Sequence, residues 1–330
     1  MTTTAVRSLF RSVRILEAES PYDTLQLRVL YPALAAESQE ERNLGVLRAD
    51  PLHAPFPVVV FMNGINVGPE VYQWLGLELA QRGFLFVSYS WVSCAIPGAE
   101  PGLTPGVDLS RVSPQTYGSE PTASALPGIL RELSTLNAAG PLRGLIDEQR
   151  VILGGHSGGG TIALQNAHPR FFPSVVAAFA YAAHSLAPMM LGFKAGEVLP
   201  LPSQVPILLM GGAKDGVMAG SAFRYGGSTM GPGQIERTFR EAFSSSRGDV
   251  FVALVEGANH FSFCQPNDSS VGRIFLDDPP SRPDAEVRAL LTPLIADFLD
   301  AYVRRDALAQ GRLQELAAQP PPVFTLFDHR

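Results

Sequence analysis

A serine flanked by glycines is the residue of this sequence best placed to do chemistry. Residues 155–159 read Gly-His-Ser-Gly-Gly and match the G-x-S-x-G pattern of a nucleophile elbow, with Ser157 at its centre. An apolar run at residues 151–154 leads into the pattern, and small and apolar residues lead out of it. Because a sharp turn between strand and helix leaves no room for side chains, the glycines have a mechanical reason to be there. The sequence therefore predicts Ser157 as the nucleophile of an acyl-transfer reaction.

A serine hydroxyl needs a base, and the base needs a third group that fixes its tautomer. Asp215 and His260 each follow the end of a predicted strand, so they are the candidate acid and base. The order serine, acid, histidine is typical of nucleophile-elbow enzymes and differs from the order in both common serine protease classes. Asp249 and Asp268 are the alternative acids, although Asp249 precedes its strand and is therefore expected at the opposite sheet edge.

Acyl transfer also needs two hydrogen-bond donors where the carbonyl oxygen becomes negative. The first predicted donor is the backbone N–H of Gly158, the residue after the nucleophile. The second is the N–H of Ile65, in the loop after an apolar run, where Gly64 lets the chain turn an amide inward. Gly64 and Asn66 are therefore candidate substrate contacts, and turn formation is the alternative role of Asn66.

Three further residues are candidate substrate contacts because they adjoin the predicted nucleophile or base, or end a strand at the same edge. They are His156, His184 and Phe261, of which His184 also suits a purely structural role. Apolar residues on neighbouring loops predict an apolar pocket rim, although such residues more often belong to ordinary packing. The rim candidates are Trp91, Val92, Ile96, Pro97, Phe263 and residues 186–191.

These side chains must be positioned by the carboxyl ends of strands in one sheet. Short β-branched and aromatic runs alternate with segments of helical periodicity, which predicts crossover units on a mostly parallel sheet. Several runs are continuously apolar, as is typical of strands covered by helices on both faces. Helices are predicted over 69–82 and 287–302, the second with a kink at Pro293. The predicted strands lie at about residues 25–31, 57–62, 85–91, 151–154, 175–182, 205–210 and 250–255.

No internal repeat or low-complexity linker divides the 330 residues, so we expect a single α/β domain over residues 1–330. Three segments resist regular assignment and are interpreted as loop insertions, at about residues 35–54, 93–121 and 216–233. The second is long for an ordinary connection, and whether it acts as a lid stays open. The tail from about residue 319 is Pro-rich and is predicted to be extended.

The overall composition disfavours several function classes. Hydrophobic residues make up 46% of the chain, and 25 Lys and Arg stand against 31 Asp and Glu, which argues against disorder and against general nucleic-acid binding. The apolar runs are shorter than the roughly 20 residues of a membrane-spanning helix, and the N-terminus lacks the pattern of a signal peptide. We therefore expect a cytoplasmic protein without stable membrane insertion. Cys94 and Cys264 show no metal-ligand spacing; their pairing and the oligomeric state stay open.

Four segments together resemble the α/β-hydrolase superfamily. They are residues 61–65, 155–159, 214–216 and 259–261. Within the superfamily, residues 30–32 and 72–84 are similar to a branch that holds chlorophyllases, bacterial polyester hydrolases, platelet-activating-factor acetylhydrolases and serine-bearing relatives of dienelactone hydrolase.

Two residues depart from the pattern of this branch. Asn63 stands where many members carry a histidine before the oxyanion-loop glycine. Ser157 stands where dienelactone hydrolase itself has a cysteine nucleophile, so lactone ring opening of that kind is not implied.

The resemblance implies an α/β-hydrolase fold, with a mostly parallel central sheet and helices on both faces. It also implies hydrolysis of a small-molecule carboxylic ester with no metal or organic cofactor. The predicted mechanism is a Ser-His-Asp acyl-enzyme route on an ester with an apolar acyl or alcohol group. Two alternatives stay open: a thioesterase or acyltransferase that uses the same residues, and a non-catalytic protein that keeps the fold to bind a ligand.

Overall fold

The computed structural model describes residues 5–94, 100–226, 233–244 and 246–330. Within these residues the chain forms a nine-stranded sheet and a short two-stranded hairpin. The strands in chain order are β1 (Ala5–Arg14), β2 (Thr24–Ala33), β3 (Phe56–Met62), β4 (Leu85–Ser90), β5 (Val92–Ser93), β6 (Gly102–Leu103), β7 (Ile146–His156), β8 (Val175–Tyr181), β9 (Ile207–Gly212), β10 (Val250–Val255) and β11 (Phe324–His329).

The large sheet has a parallel centre and antiparallel edges. Its strand order is β1-β2-β4-β3-β7-β8-β9-β10-β11. From β4 to β10 all neighbours run parallel, whereas β1, β2 and β11 pair antiparallel at the two edges. Because the central strands are parallel, the loops that follow β3, β7, β9 and β10 all leave from the same edge. The predicted triad and oxyanion residues stand on these four loops, and the candidate substrate contact His184 follows β8 at the same edge.

Helices cover both faces of the sheet and bury a separate apolar cluster on each face. One cluster includes side chains from the helices Leu126–Ala138, Ser157–Asn166 and Gly233–Glu241, and the other includes side chains from the helices Gln73–Gln81, Asp284–Val303 and Ala307–Ala318. The central strand β3 is buried at every position, as its uninterrupted apolar sequence predicts. The helices are α1 (Gln39–Leu44), α2 (Gln73–Gln81), α3 (Leu126–Ala138), α4 (Ser157–Asn166), α5 (Gly216–Ser221), α6 (Gly233–Glu241), α7 (Asp284–Val303) and α8 (Ala307–Ala318).

The two edge strands and two short helices differ from the sequence expectations. The first of these helices, α1, lies inside the segment 35–54 interpreted as an insertion, where Ser38 caps it. The sequence pattern does not predict β1, because half of its side chains are exposed and only two are buried. β11 lies in the tail expected to be merely extended, where it pairs antiparallel with β10. Gly216–Ser221 forms a helix inside a segment interpreted as an irregular insertion, because Asp215 accepts the Met218 N–H and caps it.

Two further expectations concern Pro293 and the cysteines. Pro293 lies inside a helix that continues without a break from Asp284 to Val303. Cys94 is exposed, Cys264 is buried, and both are free thiols.

None of the helices in the described ranges combines the length and the apolar character needed to cross a membrane.

Candidate active site

Ser157 occupies a strained turn between a strand and a helix. β7 ends at His156 and α4 begins at Ser157, whose φ of 55° lies in the left-handed region. A Cβ on Gly155 would lie 2.6 Å from the backbone of Gly159, and one on Gly159 would lie 2.3 Å from the Met62 carbonyl oxygen. Side chains are therefore excluded on both flanks of the turn, as expected for a nucleophile elbow.

His260 and Asp215 form a buried hydrogen-bonded pair next to this turn. His260 Nδ1 lies 2.8 Å from Asp215 Oδ2, and the two side chains are 3% and 0% exposed. Since the carboxylate accepts at Nδ1, the other ring nitrogen, Nε2, is left to act on a substrate or on Ser157. Ser157 and His260 line the same cavity. They form no hydrogen bond in this structure, in which the Ser157 hydroxyl has no partner among the described residues; such contacts often tighten only when substrate binds.

The alternative acids lie elsewhere. Asp249 precedes β10 and its carboxylate lies 2.5 Å from Arg247. Asp268 accepts hydrogen bonds from the hydroxyl and the N–H of Ser270. Of the three candidate acids, the structure brings Asp215 to His260.

The loop after β3 is held by the side chain of Asn63. This buried amide donates to the carbonyl oxygens of Gly64 and Val67, at 3.1 Å and 2.8 Å. Asn63 therefore fixes this loop through hydrogen bonds from its side chain.

Two backbone N–H groups remain available at the turn. The N–H groups of Gly64, Asn66 and Val67 donate to the Tyr72 hydroxyl and to two carbonyl oxygens. By contrast, the N–H groups of Ile65 and Gly158 have no acceptor among the described residues, and both residues line the cavity beside Ser157. These two are the predicted oxyanion donors.

His156 lies behind the site rather than in it. The Tyr72 hydroxyl is 2.8 Å from His156 Nδ1, and His156 Nε2 is 3.0 Å from the carbonyl oxygen of His260. Because a carbonyl oxygen only accepts, Nε2 carries the proton and Nδ1 accepts from Tyr72. Burial holds the pKa of His156 well below its usual value, so the ring stays neutral. The residue is fully buried and links the loop of Gly64 to the loop of His260.

The cavity beside Ser157 has a volume of about 130 Å³. Of the candidate substrate contacts, His184 and Phe261 line it, whereas Gly64, Asn66 and His156 do not. Instead, Asn66 donates its N–H to the Leu103 carbonyl and accepts from the Gly272 N–H. The lining residues are Ile65, Val67, Ser157, Gly158, Thr161, Ala182, His184, Val217, Met218, Ser221, Arg224, Tyr225, His260, Phe261 and Arg273.

The expected apolar rim is only partly present around this cavity. Trp91 is buried and faces a different depression, and Phe263 packs inside the core. Ile96 and Pro97 lie outside the described residues. Other apolar residues line the cavity together with two arginines, Arg224 and Arg273, which the sequence interpretation missed because nothing in their spacing marks them.

His184 lines the cavity as a neutral ring. Its Nδ1 accepts the Leu186 N–H at 3.1 Å, so Nε2 carries the proton. Burial lowers the pKa of His184 to about 4, and the charge of Asp215 opposes this effect. The ring packs edge-on against Tyr225, with the ring centres 4.5 Å apart. His184 therefore offers a donor rather than a base.

Asp277 is a second carboxylate at this site that sequence reasoning missed. It accepts the backbone N–H groups of Gly216, His260 and Phe261, at 3.0, 3.3 and 3.1 Å. It therefore joins the loop that carries Asp215 to the loop that carries His260. Burial, with the nearby charge of Asp215, raises the pKa of Asp277 to about 6.

Replacing Asp277 with alanine is expected to lower kcat by about 10-fold to 100-fold with a smaller change in KM, because four backbone donors, the N–H of Asp278 among them, lose their acceptor and His260 is displaced. The free energy of unfolding should fall by about 2 kcal/mol. Steady-state kinetics and denaturant unfolding measure the two effects. Asp278→Ala changes the exposed neighbour and serves as the control; equal effects of both variants would contradict the role given to Asp277.

Comparison with known proteins gives the context for this geometry. No protein-family model and no curated protein sequence matches the chain. Among solved structures, a ferulic acid esterase from Streptomyces cinnamoneus matches with a TM-score of 0.56 and 18% sequence identity, over 98% of this chain and 94% of the esterase. The match and the sheet topology agree with the sequence prediction: the chain has the α/β-hydrolase fold.

Proposed function

We propose that this protein is a serine hydrolase of carboxylic esters that works through an acyl-enzyme. The observation that carries the proposal is the buried His260–Asp215 pair, whose histidine lines the same cavity as a serine on a strained strand-to-helix turn. A ligand-binding role alone gives no reason to keep an acid, a base and a nucleophile together at one cavity.

In the proposed reaction, His260 Nε2 takes the proton of the Ser157 hydroxyl as its oxygen attacks the ester carbonyl. The N–H groups of Ile65 and Gly158 stabilise the resulting oxyanion. The alcohol leaves with the proton held by His260, and an acyl group stays on Ser157. Water then gives a proton to His260 and attacks the acyl carbon, which releases the acid and restores the serine.

The fold neighbour supports the same chemistry at a coarser level. It is an esterase, and it shares the architecture over nearly the whole chain. At 18% identity the likeness extends to the fold and not to the substrate. The proposal of ester hydrolysis therefore depends on the site residues of this chain.

The size of the cavity favours compact substrates. Its volume of about 130 Å³ resembles that of an engineered cavity of about 150 Å³ that accepts a benzene molecule. A long acyl chain would extend out of the cavity into solvent, so its outer part would contribute little binding energy.

A fluorophosphonate probe and a series of 4-nitrophenyl esters test the proposal. We expect one label per protein, mapped to Ser157 by peptide mass, and none on heat-denatured protein. The acetate and butyrate esters should exceed the octanoate ester in kcat/KM by about 10-fold or more. Folded protein that neither takes the label nor hydrolyses any ester would refute the proposed function, whereas a faster octanoate reaction would refute only the size argument.

A further inference from the structure

Two guanidinium groups line the same cavity as Ser157. Arg224 lies in a short 3-10 turn, Ala222–Tyr225, that follows α5, and Arg273 lies on the segment after His260. Both side chains are partly buried and both line the cavity. The segment that follows the acid and the segment that follows the base therefore each bring one positive charge to the cavity.

No carboxylate neutralises either arginine. Neither one forms an ion pair with any residue in the described ranges, and no Asp or Glu is among the residues that line the cavity. The remaining segments, 1–4, 95–99, 227–232 and residue 245, contain no Asp or Glu in the sequence. By contrast, Arg237 on the neighbouring helix α6 pairs with Glu241 at 2.8 Å. The two cavity arginines are therefore free to bind an anion.

The contacts that these arginines do make are weak. Arg273 Nη1 lies 3.4 Å from the hydroxyl of Ser221, and the guanidinium carbon of Arg224 lies 5.7 Å from the ring centre of Phe223. Burial lowers the pKa of Arg273, and the charge of Arg224 adds to this effect. Two like charges held partly out of water repel each other, and an anion bound between them relieves that repulsion.

His184 adds a third hydrogen-bond donor to the cavity. His184 is neutral and carries its proton on Nε2, because Nδ1 accepts the Leu186 N–H. Arginine guanidinium groups match the planar fork of a carboxylate and bind it through two hydrogen bonds. The donors thus suit a carboxylate better than an apolar group.

We propose that the substrate is a compact ester bearing a second, ionised carboxylate, which Arg224 and Arg273 bind while the ester carbonyl faces Ser157. The inference rests on the proposed ester hydrolysis. In the reaction the ester C–O bond breaks and the alcohol leaves with a proton, while the carboxylate at the arginines stays unchanged. Water then releases the acyl group from Ser157 as an acid.

Paired substrates test this specificity. The charged esters are 4-acetoxybenzoate and the mono-4-nitrophenyl ester of adipic acid, and their neutral partners are methyl 4-acetoxybenzoate and 4-nitrophenyl hexanoate. We expect at least one charged ester to exceed its neutral partner in kcat/KM by about 10-fold or more. Arg224→Gln and Arg273→Gln should each lower this ratio by about 10-fold, which removes most of the preference for the charged ester.

Controls separate recognition from structure. Arg143→Gln removes an exposed arginine outside the cavity lining and should leave the ratio within about 2-fold. Arg→Lys at either cavity position should give a charged-to-neutral ratio between that of the Gln variant and that of the unmodified protein, because the charge is kept. If a Gln variant does not fold, Arg→Met at the same position takes over as the test because it also removes the charge, and a ratio like that of Arg143→Gln would overturn the inference.

The outcomes also distinguish this inference from the proposed function. Hydrolysis of the neutral esters with no preference for either charged one would overturn the carboxylate site and leave the ester hydrolase in place. If no ester is hydrolysed and the fluorophosphonate does not label Ser157, the proposed function fails. Calorimetry of adipate with the Ser157→Ala variant then tests the anion site alone, and the absence of binding would overturn it.

Discussion

Replacing Ser157 with alanine is expected to lower kcat for ester hydrolysis by about 10⁴-fold or more, with the fold intact. The reason is that alanine has no oxygen to form the acyl-enzyme, while His260, Asp215 and the oxyanion donors stay in place. The residual rate would come only from binding and oxyanion stabilisation. Steady-state kinetics with 4-nitrophenyl acetate measures the loss, and circular dichroism checks the fold.

Ser119→Ala is the matched control for this variant. Ser119 is exposed on a loop and is not among the residues that line the cavity, so its replacement should leave kcat within about 2-fold of the unmodified protein. The same pair of variants checks the fluorophosphonate label, which should disappear from Ser157→Ala and persist in Ser119→Ala. Retained turnover in Ser157→Ala would show that another group is the nucleophile.

The residues of the predicted triad could be chosen from the sequence because each follows a run with a clear strand pattern. The runs before Ser157, Asp215 and His260 are apolar and buried, and they form the parallel strands β7, β9 and β10. In a parallel sheet the strand ends share one edge, so strand prediction alone brings the three residues to the same region. The pattern does not predict the hydrogen bond between the acid and the base, because that contact depends on how the loops after β9 and β10 fold.

The residues that sequence reasoning missed lie on loops whose path no periodicity describes. Asp277, Arg224 and Arg273 stand several residues beyond the nearest strand end, and their positions depend on how the intervening turns fold back over the site. An Asp in a polar segment is usually a turn residue, so nothing in the sequence marks Asp277 as a residue of the site. The loops that carry specificity are thus the part of the chain that a sequence pattern describes least well.

His156 shows a different limit of sequence reasoning. Its place next to Ser157 suggested substrate contact, but successive residues of a strand point to opposite faces, and the elbow turns only the serine outward. The side chain of His156 is therefore directed into the core, where it meets Tyr72 and the carbonyl oxygen of His260. Proximity along the chain was a poor guide to proximity in the cavity.

Replacing Asp215 with asparagine is expected to lower kcat by about 10³-fold to 10⁴-fold. Both carboxylate oxygens act as acceptors, since Oδ2 faces His260 Nδ1 at 2.8 Å and Oδ1 accepts the Met218 N–H at 2.8 Å. An amide has one oxygen and can serve only one of these donors. If its NH₂ group faces His260, the ring proton moves to Nε2, which then cannot take the proton of Ser157.

Asp249→Asn and Asp215→Ala complete this test. Asp249 lies at the opposite edge of the sheet, so its amide variant should keep kcat within about 2-fold. Asp215→Ala removes the cap of α5 as well as the partner of His260, so it should lose activity and also about 1 kcal/mol of unfolding free energy. Full activity in Asp215→Asn would contradict the assignment of the acid. A loss in Asp249→Asn alone would transfer that assignment to Asp249, against the geometry of β10.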